Sequence, residues 1–297
     1  MIRKRIVKDR MAQGVMCSLT VMAILFVVVM AAGLIIKSVP VLEGRSFFSL
    51  ISSNEWKPMK GEFGFLPFVV GSLWVTALAI LISLPISLLT AIYLTEYARP
   101  VVRKFVFPAL DILAALPSVI YGVWGMLVIV PWISNRLAPH FVEFSSGYTV
   151  LAAGIVLGVM VIPLLVSLFI EVFTSVPVEL REASLALGAT RWQTTKKVVL
   201  RKTLAGQIAA TVLAVSRALG ETIAVLMVCG CVIGIPSNVL EPCYPIPALI
   251  ANNYGEMLSM PLYESALMFA ALILFAVVLV FNLLSRIILY RIERREA

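Results

Sequence analysis

Six apolar runs, each long enough to cross a lipid bilayer, leave this chain few folds to choose from. They fall at about 15–36, 67–95, 105–132, 148–173, 206–235 and 265–290, and a run of about 18 or more apolar residues is a candidate membrane span. No water reaches the backbone inside hydrocarbon, so such runs satisfy their own N–H and C=O groups as helices. The chain is 61% hydrophobic and 13% charged, against roughly half and a quarter in soluble domains. An all-α integral membrane protein of six transmembrane helices follows. The first run comes after Arg3, Lys4, Arg5, Lys8 and Arg10, as in a signal peptide. It exceeds the ~7–15 apolar residues of a signal core, so it is expected to stay as an uncleaved first span.

Charge then orients the spans, because cytoplasmic loops carry the excess of Lys and Arg. Eighteen of the 24 basic residues lie at the N-terminus, in the 99–104 loop, in 181–202 and at the C-terminal end. Only Lys37, Arg45, Lys57, Lys60 and Arg136 occupy the alternate loops, and Arg217 sits inside a span. Both termini and the 177–201 stretch are therefore expected in the cytoplasm, with the protein multi-pass in a cytoplasmic (inner) membrane. The net charge of +8 is spread over span ends, where it meets anionic lipid headgroups, and no aromatic platform accompanies it. Nucleic acid is not an expected partner. Cys17, Cys229, Cys231 and Cys243 lack paired metal-ligand spacing and read as small apolar residues. The one histidine, His140, has no nucleophile–base cluster or ligand set around it. An enzyme, a metal site and a cofactor bound by this chain are all unexpected.

One segment interrupts the apolar pattern with charge: PVELREASLALGATRWQTTKKVVLR at 177–201. Pro177 suits a first helical turn, and Glu179 and Glu182 follow near the positive end of the helix dipole. Leu180, Ala183 and Leu187 make a narrow apolar stripe, and Gly188 supplies a left-handed stop. Thr190 and Gln193 have the spacing of a capping box that opens a second helix, which carries Lys196, Lys197, Arg201 and Lys202. On the residues alone, this is either a compact cytoplasmic knob or a connecting loop laced with positive charge.

The order Glu182-Ala183-Ser184, Gly188, Val198, Leu200-Arg201 resembles the signature loop of ABC importer permeases, with Ser184 where the pattern has alanine and Arg201 where it has proline. The resemblance implies a type I ABC importer permease fold, in which Glu182, Ala183, Ser184, Gly188, Val198 and Leu200 couple to a cytoplasmic ATPase. The chain has no G-x-x-x-x-G-K-[ST] of its own, so ATP and Mg are expected in that partner.

The fifth run contains Ser-Arg-Ala-Leu-Gly-Glu-Thr at 216–222. An ionised residue at membrane depth costs ~2.5–3.5 kcal/mol even on lenient scales. On a continuous helix Glu221 shares a face with Arg217, which gives either a self-satisfied pair or an anion station. A guanidinium suits tetrahedral oxyanions, and Ser216, Thr222 and Asp111 are the further candidates along that route. Asp111 is expected inside the third span or near its interface. Arg-Ala-Leu-Gly-Glu-Thr, the LPSVIYGVWG run at 116–125 and LPFVVGSLWVT at 66–76 resemble the phosphate-specific (Pst) permease family, more its PstC-type than its PstA-type subunit. That resemblance covers about 54–235. It implies a heterodimer with a PstA-like permease, two copies of an ATPase and an external phosphate-binding protein.

The expected organisation is a basic N-terminal segment, first span and external loop over 1–66, a permease domain over 67–292 with the coupling loop at 177–201, and a cytoplasmic tail at 293–297. Pro85, Pro117 and Pro163 are expected helix kinks, with Pro163 breaking the fourth span. The expected function is ATP-driven phosphate import by alternating access. A permease for molybdate, tungstate or sulfate, and a non-transporting sensory membrane protein, are the alternatives.

Overall fold

The computed structural model describes residues 2–43, 46–255 and 261–296, with side chains over 10–43, 46–255 and 261–290. Arg45, part of the 236–262 loop and the side chains of the 293–297 tail lie outside the described residues. Helices α1 (Ile2–Leu42), α2 (Phe47–Ser52), α3 (Leu66–Ile92), α4 (Pro100–Ala115), α5 (Ser118–Trp124), α6 (Val130–Trp132) and α7 (Val150–Thr174) make the first half. Helices α8 (Val178–Ala186), α9 (Arg191–Thr194), α10 (Leu200–Lys202), α11 (Leu204–Leu219), α12 (Ile223–Leu226), α13 (Ile246–Asn253) and α14 (Pro261–Glu296) make the second. Among the described residues, β pairing is confined to two isolated bridges.

The core is the parallel pair α3 and α7, whose contacts advance together from Leu78–Gly154 to Ser87–Ile162. Lipid tails are as apolar as leucine, so helices in a membrane associate by close packing of small residues. α7 turns Gly154 and Gly158 toward α3: a Cβ on Gly154 would lie 2.6 Å from Leu78 Cδ2, and one on Gly158 3.2 Å from the Ala79 carbonyl. α3 answers with a buried face of Ser72, Thr76, Ala79, Ser83 and Ser87. α11 lies against α7, α3 and α14, and α1 lies along α14. The apolar sides of α1 that α14 does not cover are exposed, as lipid-facing surface must be.

Five helical stretches are long and apolar enough to span, and the bent pair 191–202 and Leu204–Leu219, at 69°, makes the sixth. Three expectations change. The third span does not run over 105–132. α4 ends at Ala115, and the span is Ser118–His140. Pro117 forces the residue before it out of the helical region, and Leu116 is extended at φ −63°, ψ 132°. Asp111 consequently sits on α4, outside the third span. The fourth span is not broken at Pro163, because α7 is a single helix with that proline inside it. The fifth span is not a helix over 206–235. α11 stops at Leu219, α12 is a single turn, and the chain from 227 to 245 is irregular.

The two ends of the molecule are fixed by α7. Thr149 caps its start through Ala152 N–H, while Val150 and Leu151 donate to the carbonyls of Glu241 and Val239. Twenty-five residues later, at about 1.5 Å per residue, α7 delivers the chain to α8 at the far end. Segment 47–65 covers the first end, where the Trp56 ring meets Phe63, Phe65, Phe68 and Tyr263 edge to face.

Candidate functional site

The charged segment after α7 folds as two short helices with a defined corner. Pro177 is the N-cap of α8 (φ −55°, ψ 140°) rather than a first-turn residue. α8 ends in a Schellman motif: Gly188 N–H donates to the Leu185 carbonyl at 2.9 Å and Ala189 N–H to the Ser184 carbonyl at 3.2 Å. That turn needs a left-handed residue, and Gly188 takes φ +84°. The capping box forms as its spacing predicts, with Thr190 N–H donating to Gln193 Oε1 and Gln193 N–H to Thr190 Oγ1. The second helix continues from α9 through a π turn at Thr195–Val199 to α10 before the 69° bend into α11.

The six coupling residues divide. Glu182, Ala183 and Gly188 are exposed, whereas Ser184, Val198 and Leu200 are half-buried. Ser184 Oγ lies 2.9 Å from Thr194 Oγ1, a bond that closes the corner and that an alanine there lacks. Around the exposed three stand Val178, Leu180, Leu185 and Trp192, with Leu187 90% exposed. The apolar stripe therefore points away from this chain. A cavity of about 440 Å³ between Leu180, Lys197, Val198, Arg201 and Lys202 lies beside it.

At the far end of α11 the structure revises the membrane station. Thirteen residues from Leu204 place Arg217 about 20 Å along the helix, and the helix ends two residues later. Glu221 falls beyond that end, on the turn where its N–H meets the Ala218 carbonyl, so the expected shared face does not exist. Arg217 and Glu221 make no ion pair; Arg217 is exposed and forms neither an ion pair nor a hydrogen bond with the described residues. Its side chain closes a small cavity of about 30 Å³ lined by Leu113, Ala114, Leu116, Tyr121, Met160 and Leu164. Ser216 Oγ is held by the Asn282 amide of α14, and the Thr222 hydroxyl turns back to the Gly220 carbonyl at 3.3 Å. Asp111 lines a separate cavity of about 220 Å³ with Phe107, Leu110, Ser167 and Ile170. It does not join Arg217 in one network.

The Tyr-Gly-x-Trp-Gly run holds this turn in place. A Cβ on Gly122 would lie 2.6 Å from Met227 Sδ, and one on Gly125 would collide with Val156 and come 3.0 Å from Val228. Tyr121 donates to the Leu113 carbonyl at 2.7 Å, bridging the Pro117 break. Glycines and tyrosine together seat the third span against α12 and the two residues that follow it. Sequence reasoning missed Ser184–Thr194, Asn282 and a charge cluster at Glu96, Arg103 and Arg181. Asn282–Ser216 and Glu96–Arg181 join residues distant in the chain, and Ser184–Thr194 and Arg103–Thr95 bridge turns with no helical or strand period.

Comparison with known proteins places this geometry. The family model described as "Binding-protein-dependent transport system inner membrane component" matches residues 83–297. The protein named phosphate transport system permease protein PstC of Pasteurella multocida is 38% identical over 263 residues, 84% of this chain and 82% of that one. The probable phosphate transport system permease protein PstC of Methanocaldococcus jannaschii is 35% identical over 89% of this chain and 88% of its own. Among solved structures, a chain of a bacterial alginate ABC transporter in complex with its alginate-bound periplasmic protein superposes with TM-score 0.64 at 17% identity, covering 96% of this chain and 97% of that one. The MetNI methionine ABC transporter gives 0.56 at 20% identity, over 77% and 94%. The chain thus belongs to the inner membrane components of binding-protein-dependent transport systems, as a multi-pass permease subunit.

Proposed function

We propose that this chain is the PstC-type subunit of an ATP-driven importer of inorganic phosphate. The observation that carries the reading is Arg217, a guanidinium at the end of a half-length helix with no partner among the described residues. Backbone that leaves the helix at membrane depth belongs where it lines a water-filled route, and a free fork of N–H donors there suits an oxyanion. The relatives whose names include phosphate transport are 38% and 35% identical over most of the chain. Ser216, Glu221 and Thr222 flank the guanidinium, Glu221 accepting from a protonated phosphate oxygen. Asp111 stays a candidate only for an earlier or later stage of the route, given its separate cavity.

The exposed stripe around Gly188 is the ATPase contact, and Glu182, Ala183 and Leu187 meet that partner directly. Residues 67–292 form the permease domain, with both termini and the 177–201 loop in the cytoplasm. A PstA-like permease completes the translocation route, two ATPase copies bind ATP with Mg, and an external phosphate-binding protein docks over 47–65 and the 236–242 loop. Closure of the ATPase pair moves the corner at Gly188, and alternating access carries phosphate past Arg217.

The test is uptake of labelled phosphate by membranes holding the four components, with and without this chain. ATPase stimulation by binding protein loaded with phosphate, molybdate, tungstate or sulfate assigns the anion. Stimulation by one of the other three alone overturns the phosphate assignment, and a deletion strain whose uptake is unchanged overturns transport.

A further inference from the structure

Where α8 meets the end of α3, three charged side chains converge from separate elements. Arg181 of α8 reaches Glu96 at 3.2 Å, and the pair is four-fifths or more buried, with 20% and 13% of the side chains exposed. Arg181 also donates to the Phe173 carbonyl at 2.6 Å, in the last turn of α7. Glu96 lies in the π turn Tyr93–Tyr97 that ends the second span, and π turns recur at functional sites. Arg103, at the start of α4, donates to the Thr95 carbonyl of that same turn at 2.5 Å. Four elements are tied at one point.

The ties are incomplete. Of the four buried side-chain polar atoms without a hydrogen bond among the described residues, three are Glu96 Oε1, Arg103 Nε and Arg181 Nε. Glu96 Oε1 is near enough to Arg181 for an ion pair but not aligned for a hydrogen bond. Buried polar groups are normally satisfied, and each exception calls for an explanation. Clustered at the junction between a docking helix and a span, they fit a contact set that is completed only in another arrangement of the same elements.

α4 extends this cluster toward the cargo. Arg103 stands near its start, and Leu113, Ala114 and Leu116, about 15 Å on, line the cavity closed by Arg217. We propose that Glu96, Arg103 and Arg181 are positioning residues that transmit movement of α8 to α4, and through α4 to the Arg217 cavity. The proposal rests on α8 being the ATPase contact. A single helix, with Pro108 inside it, that has a charged joint at one end and the cargo cavity at the other is a contiguous mechanical route.

The experiment uses the full complex in proteoliposomes, with Glu96→Gln, Arg181→Gln and the double variant. Three quantities are read: ATPase retained on the permease, ATP hydrolysis, and stimulation of that hydrolysis by the binding protein isolated with its anion. The single variants are expected to keep the ATPase and to lose stimulation by about tenfold, the size of a direct contact's coupling energy. The double variant is expected to be no worse than either single one. Stimulation at the unsubstituted level in an assembled E96Q complex overturns the proposal, as does a double variant that loses the product of the two single effects. If E96Q does not assemble, Glu96→Asp decides, since it keeps the charge one methylene short: reduced stimulation supports the transmission role, full stimulation refutes it. Failure of the docking reading shows separately, as ATPase retained when Leu187→Asp is introduced.

Discussion

Gly188 offers the cleanest separation of local fold from partner contact. Its φ of +84° ends α8 in a Schellman turn, and a Cβ built there meets nothing within 4 Å. Replacement is therefore sterically free within this chain and costs only backbone strain, about 1–2 kcal/mol for a side chain in the left-handed region. Asparagine, which tolerates that region, costs less. If the ATPase needs the turn as it stands, Gly188→Ala weakens attachment by up to a factor of about 5–30, the equivalent of that strain. Gly188→Trp carries the same strain and adds bulk to the face that already shows Leu187, Leu185 and Trp192. The expected order of ATPase retention is Gly, Asn, Ala, Trp, measured by co-purification from detergent, with melting temperature of the permease as the control for folding. Tryptophan and alanine giving equal retention refutes coverage of this face by the partner. Alanine and glycine giving equal retention refutes the need for the turn.

Arg217→Gln removes a charge-assisted contact worth about 1.5–3 kcal/mol, so phosphate uptake should fall at least tenfold, with Arg217→Lys between the two; unchanged uptake sinks the anion station. Gly154→Leu forces a side chain into Leu78, and overpacking of this kind costs about 1–3 kcal/mol, visible as a lowered melting temperature with α3 and α7 prised apart. Ser184→Ala deletes the 2.9 Å bond to Thr194 and should cost about 1 kcal/mol of stability, seen in the same melting assay. Cys231 is half-buried on a cavity of about 340 Å³ at the end opposite α8, while Cys229 and Cys243 are fully buried. A membrane-impermeant maleimide added to intact cells should label Cys231 and spare the other two. Labelling only after permeabilisation would reverse the orientation.

What was legible in the sequence was whatever depends on neighbours along the chain. Hydrophobic length found the spans, and the Thr190–Gln193 spacing found a capping box whose two bonds both form. Gly188 was readable because a left-handed stop is a single-residue property. The third span went astray at Pro117, where composition continues but Leu116 cannot stay helical. Arg217–Glu221 went astray for a related reason. A four-residue spacing implies a shared face only while the helix persists, and α11 ends at Leu219. The local mark of that end is the C-cap Gly220, but a glycine inside an apolar run does not by itself stop a helix, and Gly122 and Gly125 admit Met227 and Val228 to close range beyond it. The Glu96–Arg181 pair joins residues 85 apart in the chain, with no periodicity to betray it.

The halved fifth helix also bears on why a lone cation can sit at this depth. An arginine within a continuous, lipid-facing helix would have every nearby carbonyl engaged in the i to i−4 ladder, and its charge unrelieved. Ending the helix at Leu219 takes the last carbonyls out of the i to i−4 ladder, those of Arg217 and Ala218 accepting only the turn bonds from Gly220 and Glu221 N–H, and the partial negative charge of the helix end collects within one turn of Arg217. Those carbonyls offset part of the cost of a charge at membrane depth without neutralising it, as a full ion pair with Glu221 would. A guanidinium stabilised by dipoles still attracts an anion, whereas one locked to a carboxylate must first be freed. Extending α11 should therefore impair transport even with Arg217 intact. Gly220→Ala, which removes the most flexible residue at the break and meets only the Arg217 and Ser216 carbonyls at 3.7 Å, favours continuation by about 1 kcal/mol. Lower phosphate uptake in a complex that assembles and melts normally is the expected result. Uptake at the unsubstituted level would mean that the helix end plays no part in holding Arg217 ready.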